Sequence, residues 1–216
     1  MNNNKTSKIA NECQISGSNN LESIIFLGYH PPVNEYVEIG TPADEKPSYP
    51  CELFYCPDSK LVQLGQIVDP TVLFPPEYPY TSSTTKILRE NFSELYEESS
   101  KMLNLKKDDL IIDIGSNDGN LLSNFKDNHR VLGVTPEEVG KIAIEKGIPT
   151  IIDYFNEDVV EAILREHGKA KVITATNVFA HIDEPNKITQ LISKLLTDDG
   201  VFINESHYLA SLVETL

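Results

Sequence analysis

The ten residues Leu110-Ile-Ile-Asp-Ile-Gly-Ser-Asn-Asp-Gly119 limit what this chain can fold into more than any other segment. Apolar residues lead into an acid, and Gly115 and Gly119 then frame a tight turn before a helix-like run over 120–127. This is the pattern of a buried parallel strand that delivers a glycine-rich loop to a helix N-terminus, where nucleotide-type ligands are held. The spacing Asp-x-Gly-x-Asn-x-Gly is not the Gly-x-Gly-x-x-Gly of dinucleotide binders, and the Gly-Lys-Ser/Thr of a phosphate loop is missing. An acid at the strand end suits a ligand that carries positive charge and no phosphate, as S-adenosylmethionine does.

Downstream the chain alternates. Residues 131–134 read as a second strand, 136–146 as a helix, 150–152 as a strand and 157–167 as a helix. A strand over 171–176, a helix over 184–196 and a strand over 200–204 follow, with breakers at Gly147 and at the Asp198-Asp-Gly200 turn. Strands alternating with helices of ten or more residues predict an α/β, Rossmann-like, doubly wound parallel sheet with ligands at the strand C-termini.

Charge and cysteine usage narrow the partners. With 18 Lys and Arg against 33 Asp and Glu, the net charge of −15 disfavours a nucleic acid partner. A small nucleotide-linked substrate needs only a local positive pocket. No apolar run is long enough for a membrane span, and the polar N-terminus lacks a signal-type core. Three cysteines without a signal point to reduced thiols and a cytoplasmic protein.

Ahead of the alternating region the character changes. Residues 1–12 are polar and expected to be disordered. Residues 13–68 carry short apolar runs (24–27, 52–55 and 61–64) among Pro, Gly, Asn and Asp, which predicts a small β-rich module with an exposed loop over 39–50. Residues 69–105 begin with a Pro- and Tyr-rich loop, kept ordered by its aromatic rings, and end in a linking helix with apolar residues at helical spacing. The domain that follows is expected to run over 106–216.

The motif order resembles S-adenosylmethionine-dependent C-methyltransferases that act on nucleotide-linked deoxysugars. The resemblance rests on Leu61-Val-Gln-Leu64, Tyr78-Pro-Tyr-Thr-Ser82, Ile114-Gly-Ser-Asn-Asp-Gly119, Val131-Leu-Gly-Val134, Gly147-Ile-Pro-Thr150, Asn177-Val-Phe-Ala-His-Ile182, Glu205 and Tyr208. It implies an N-terminal zinc-binding module, a class I methyltransferase domain and methylation beside the ketone of a nucleotide-linked keto-deoxysugar. Three departures qualify it. The family's module resembles two Cys-x-x-Cys pairs, whereas this chain reads Cys13-Gln-Ile-Ser16 and Cys56-Pro-Asp-Ser59, so zinc is not expected. Cys51 is read as a small hydrophobe. Thr135 stands where the family has an acid for the ribose hydroxyls, a loss of roughly 1.5–3 kcal/mol of binding unless Glu137 or Glu138 substitutes. Finally, residues 208–216 read as the opening of a helix, where the family continues into further strands and another domain. A truncated chain without full activity of its own, or completion by a second polypeptide, is therefore expected.

The resemblance places His181, Tyr80 and Tyr78 on the substrate side, with His181 as acid/base or enolate donor. A loop or capping histidine would read the same way, as would tyrosines that merely anchor the loop. For the cofactor, Asp113, Gly115, Asn117 and Gly119 form the loop; Asp153 and Phe155 follow the third strand, and Asn177 ends the fourth. Gly115 would let the backbone approach the methionine portion, and Gly119 would let the next helix pack closely. Asp118 reads equally as a helix cap or a ligand contact. Two rival readings remain: a non-catalytic, cofactor-binding remnant or interaction module of the same fold, and a nucleotide-binding oxidoreductase, which the glycine pattern disfavours.

Overall fold

The computed structural model describes residues 6–33 and 36–215. They separate into two compact units, one running up to Tyr78 and including Asp183–Asn186, the other covering Pro79–Ile182 and the chain from Lys187 onward.

The first unit holds β1 (Ser7–Ile9), β2 (Glu22–His30), β3 (Tyr49–Tyr55), β4 (Val62–Leu64), β5 (Gln66–Val68) and the single-turn helix α1 (Pro70–Leu73). Strands β2, β3 and β4 form an antiparallel sheet, and β1 pairs antiparallel with β5. All three apolar runs of the module therefore lie in or against strands. Strand β1 corrects the expectation of disorder over 1–12, of which residues 1–5 lie outside the described residues. Its ladder with β5 continues through Ala10 N to Gly65 O and Asp69 N to Thr6 O. Such backbone bonds are available to a polar sequence that hydropathy alone marks as loose. Helix α1 starts on Pro70, and the Asp69 carboxylate caps it by accepting from Thr71 N. Phe74 and Tyr78 make an edge-to-face pair at 5.6 Å, which orders the proline-rich loop.

The second unit opens with a 3-10 turn (Ser82–Thr84) and α2 (Lys86–Leu103). It continues with β6 (Leu110–Ile114), α3 (Leu122–Phe125), β7 (Arg130–Thr135), α4 (Gly140–Glu145), β8 (Thr150–Ile152) and α5 (Glu157–Glu166). Then come β9 (Ala170–Thr176), a second 3-10 turn (Phe179–His181), α6 (Pro185–Leu195), β10 (Leu196–Glu205) and α7 (Leu209–Thr215). The five strands are parallel in the order β10-β9-β6-β7-β8. The order reverses between β6 and β9, so the crevice where ligands bind opens at the C-terminal ends of those two strands.

Side-chain alternation along β6 splits the core in two. Leu110, Ile112 and Ile114 pack with Val160, Ile163, Ile173, Ile192 and Leu195 on the α5/α6 face. Ile111 packs with Phe92, Leu121, Leu122, Phe125 and Val172 on the face covered by α2 and α3. Helix α2, expected as a linker, is thus part of this unit's own core. Helix α3 is shorter than the expected 120–127 because Ser123 Oγ and Asn124 Nδ2 both bond the Asn120 carbonyl, competing with the backbone ladder. The stretch before α4 is a tighter i→i+3 turn, from Gly140 N to Glu137 O and Lys141 N to Glu138 O, instead of helix from residue 136. Strand β10 starts at Leu196, and the Asp198-Asp-Gly200 breaker becomes a register irregularity between Leu196 and Val201. No helix among the described residues is long and apolar enough to cross a membrane.

Candidate functional site

The glycine loop leaves β6 with three residues in the left-handed region: Gly115 at φ 72°, Asn117 at φ 50° and Gly119 at φ 77°. Both glycines are required by the protein's own packing. A Cβ on Gly115 would lie 2.3 Å from Val178 Cγ2, and one on Gly119 would lie 2.7 Å from Ile148 Cδ1 and 2.9 Å from Ala143 Cβ. The close approach at Gly115 is therefore to Val178, just before the 3-10 turn that carries His181. Gly119 packs against α4 and the approach to β8 instead of the helix that follows it.

Asp113, next to last in β6, is a buried carboxyl group that accepts a bond of 2.6 Å from Thr174 Oγ1 of β9. Burial pushes its pKa up to about 7, with the Thr174 hydroxyl pulling the other way. At 2% exposure it acts from inside the sheet. Its folded-state pKa lies above the unfolded 3.8, so its stabilising contribution is full below pH 3.8 and is lost as pH rises to about 7. Asp113→Asn removes this dependence. In urea titrations the natural chain is expected to lose stability relative to the variant between those pH values, by on the order of 4 kcal/mol in total, then run parallel above. Parallel curves through the whole window would show that Asp113 ionises freely.

Asn117 and Asp118 have a shared task that the sequence did not reveal. Asn117 Nδ2 donates to Tyr80 O, and Asn117 Oδ1 accepts from Ser82 N. The Asp118 carboxylate accepts from Ser82 Oγ at 2.7 Å and from the Ser83 hydroxyl and amide, and pairs with Lys146 Nζ at 3.2 Å. Burial alone would raise the Asp118 pKa, but the bonds from Ser83, Ser82 and Lys146 outweigh it and hold the carboxyl below its usual range. The two side chains clamp the segment 80–83 onto the glycine loop, so Asp118 caps no helix and Asn117 spends its amide on the protein. Tyr80 belongs to this unit and is exposed, whereas Tyr78 belongs to the first unit and packs on Phe74.

At the end of β7 a buried carboxylate lies two residues after Thr135. Thr135 is fully buried and its hydroxyl donates to Glu137 Oε2, and Glu137 is itself only 7% exposed. Glu138 points to solvent and pairs with Lys141 at 2.8 Å. Asp153 is exposed after β8 and accepts from Tyr154 N, and Phe155 packs on the core edge beside α5. Asn177, left-handed at φ 58°, donates its amide N–H to Glu205 O at 2.7 Å and its side chain to Glu205 Oε1. Asn91 of α2 holds the other Glu205 oxygen at 2.8 Å. His181 lies at the same strand-end edge. Burial, and then the neighbouring His207, hold its imidazole below the usual histidine range. Only the parallel pairing of β9 with β10 brings His207, distant in sequence, beside His181.

Two more side chains in the loop bear on ligand fit. Ser116 Oγ and Asn120 Nδ2 are buried with no hydrogen-bond partner among the described residues. Buried donors of this kind are costly unless something accepts from them. A ligand carboxylate such as that of the methionine portion of S-adenosylmethionine is a suitable acceptor, so the residues fit this cofactor.

The sequence matches a family model described as "Methyltransferase domain" over residues 86–214 and one described as "Putative zinc binding domain" over residues 13–74. The chain belongs to the methyltransferase-domain family, and its parallel sheet is the class I, S-adenosylmethionine-dependent form of that fold. It is 28% identical to the C-methyltransferase NovU of Streptomyces niveus over 205 residues, which is 94% of this chain and 49% of NovU. The chain thus spans about half the length of this relative. Among solved structures, an S-adenosylmethionine-dependent methyltransferase from Clostridium acetobutylicum matches with 21% identity and a TM-score of 0.48, covering 59% of this chain and 54% of that one. The plantazolicin methyltransferase BpumL in complex with SAH matches with 18% identity and a TM-score of 0.40, covering 54% and 45%.

The zinc that the second family model implies is not matched by the residues present. Its ligand positions hold two thiols and two hydroxyls, and a structural site needs four thiolate or imidazole donors. No group of three or more His, Cys, Asp or Glu positioned for a metal occurs among the described residues.

Proposed function

We propose that this chain carries the cofactor-binding and part of the catalytic machinery of a C-methyltransferase acting beside the ketone of a nucleotide-linked keto-deoxysugar. The observation that carries the reading is the similarity to C-methyltransferase NovU, which runs through both the N-terminal module and the methyltransferase domain. S-adenosylmethionine supplies an electrophilic methyl group on a sulfonium. His181, whose imidazole burial and His207 hold below the usual histidine range, removes the proton alpha to the ketone. The exposed phenol of Tyr80, on the segment clamped by Asn117 and Asp118, donates to the developing enolate oxygen. Ser116 and Asn120 hold the methionine end, Glu137 the ribose hydroxyls, and Asp113 shapes the loop from beneath. β10 is paired on one side only among the described residues, which suits a further polypeptide segment adding there.

The test is incubation with the methyl donor and a nucleotide-linked 4-keto-deoxysugar, read by mass spectrometry and carbon NMR. A product one methylene unit heavier with a new carbon–carbon methyl is expected; a product methylated on oxygen or nitrogen contradicts the assignment.

For the ribose contact, Glu137→Gln is expected to weaken S-adenosylhomocysteine binding about tenfold to a hundredfold, with melting behaviour kept. Glu138→Gln is expected to change nothing. Calorimetric titration of both variants decides, and equal affinities contradict the role of Glu137.

A further inference from the structure

The N-terminal module contains two copies of one turn. In the first, Cys13 N bonds Ser18 O at 2.8 Å and Gly17 N bonds Cys13 O at 2.9 Å. In the second, Cys56 N bonds Leu61 O at 2.9 Å and Lys60 N bonds Cys56 O at 2.8 Å. The fifth residue of each is left-handed, Gly17 at φ 69° and Lys60 at φ 65°. Each fourth-position serine accepts from the amide two residues on: Ser18 N to Ser16 Oγ at 3.3 Å, and Leu61 N to Ser59 Oγ at 3.2 Å. These are the paired knuckles that present four ligands to one ion in a zinc ribbon.

Here the four side chains meet one another. Cys13 Sγ lies 3.1 Å from Ser59 Oγ, and Cys56 Sγ lies 3.6 Å from Ser16 Oγ, so each thiol pairs with the hydroxyl of the opposite turn. Both thiols are buried. Ser16 N adds a bond to Cys13 Sγ at 3.4 Å. From the tip of the first turn, Ser18 Oγ reaches Asp58 in the second, and Gln14 N bonds Gln63 Oε1 of β4. Two hydroxyls cannot replace two thiolates toward zinc, but they can satisfy two buried thiols.

We infer that the module is a zinc ribbon converted to a metal-free form, in which crossed thiol–hydroxyl hydrogen bonds hold the two turns together in place of an ion. The backbone of the four-ligand site is kept. The pair of substitutions Ser16→Cys and Ser59→Cys should therefore rebuild a tetrathiolate site, and neither single change should.

The test uses the full chain purified from zinc-supplemented culture. Metal content is read by mass spectrometry, cobalt loading by absorption, and thermal unfolding with and without a chelator. The natural chain is expected to contain no stoichiometric zinc and to melt identically with chelator. The S16C/S59C variant is expected to hold one zinc per chain, give the absorption of tetrahedral cobalt thiolate, and lose melting temperature on chelation. Ser16→Ala with Ser59→Ala is expected to lower the melting temperature without any chelator effect. Stoichiometric zinc in the natural chain, or a folded S16C/S59C variant that takes up no metal, overturns the inference.

Discussion

Replacing Gly115 by valine is expected to abolish measurable S-adenosylhomocysteine binding. Two costs act together at this position. A β-branched residue at φ 72° is strained by about 1–3 kcal/mol. Its Cβ would also sit 2.3 Å from Val178 Cγ2, and overpacking of this kind costs about 1–3 kcal/mol. Relief requires moving Val178, which leads directly into the turn Phe179–His181, so the disturbance reaches the turn that carries His181 as well as the loop. Gly168 provides the control: it is left-handed at φ 82°, but a Cβ there meets nothing within 4 Å. Gly168→Asn should cost little, because asparagine tolerates this region and has open space. Circular dichroism and calorimetry on both variants separate local from global effects. Retained affinity in a folded Gly115→Val chain contradicts the packing account of the loop.

The second large effect is expected at His181. His181→Gln should slow exchange of the substrate's alpha proton with deuterated water by about 10²–10⁴-fold, the range for loss of a positioned general base. Affinity for S-adenosylhomocysteine should stay unchanged, because no cofactor contact is assigned to the ring. The direction of the pKa gives a second readout. Burial and the neighbouring His207 lower the His181 value, so His207→Gln should move the acidic limb of the exchange profile to higher pH. Imidazole titration by NMR checks the same shift without turnover. Undiminished exchange in His181→Gln assigns the base elsewhere.

The fold was legible because each parallel strand is an apolar run between breakers. Residues 150–152 are β8 to the residue, and 157–167 overlap α5 within one position, where Asn156 caps the helix by accepting from Val159 N. Local polar competition set the limits. The carbonyl of Asn120 attracts neighbouring side chains and shortens α3, and Glu137 is drawn back to Thr135 where a first helical turn was expected. For the candidate site, the sequence offered positions but not their surroundings. Asn117 read as a ligand contact and Asp118 as either a helix cap or a ligand contact, yet they hold a segment some 35 residues earlier in the chain, a tertiary pairing that no local spacing encodes. Glu137 and Glu138 read alike in the sequence as substitutes for an acid at Thr135, and only folding buries one and leaves the other paired with Lys141. Ser116, Asn120 and His207 carried no sequence signal, since the buried atoms of the first two and the proximity of the third to His181 arise only on folding.

The central claim is that the unit built around the glycine loop binds the methyl donor through this chain's own residues. Isothermal titration of the purified full chain with S-adenosylhomocysteine tests it most directly. The expected result is saturable one-to-one binding that Glu137→Gln weakens and Gly115→Val eliminates. No binding heat at several temperatures, from a chain shown to be folded by circular dichroism, would contradict the claim.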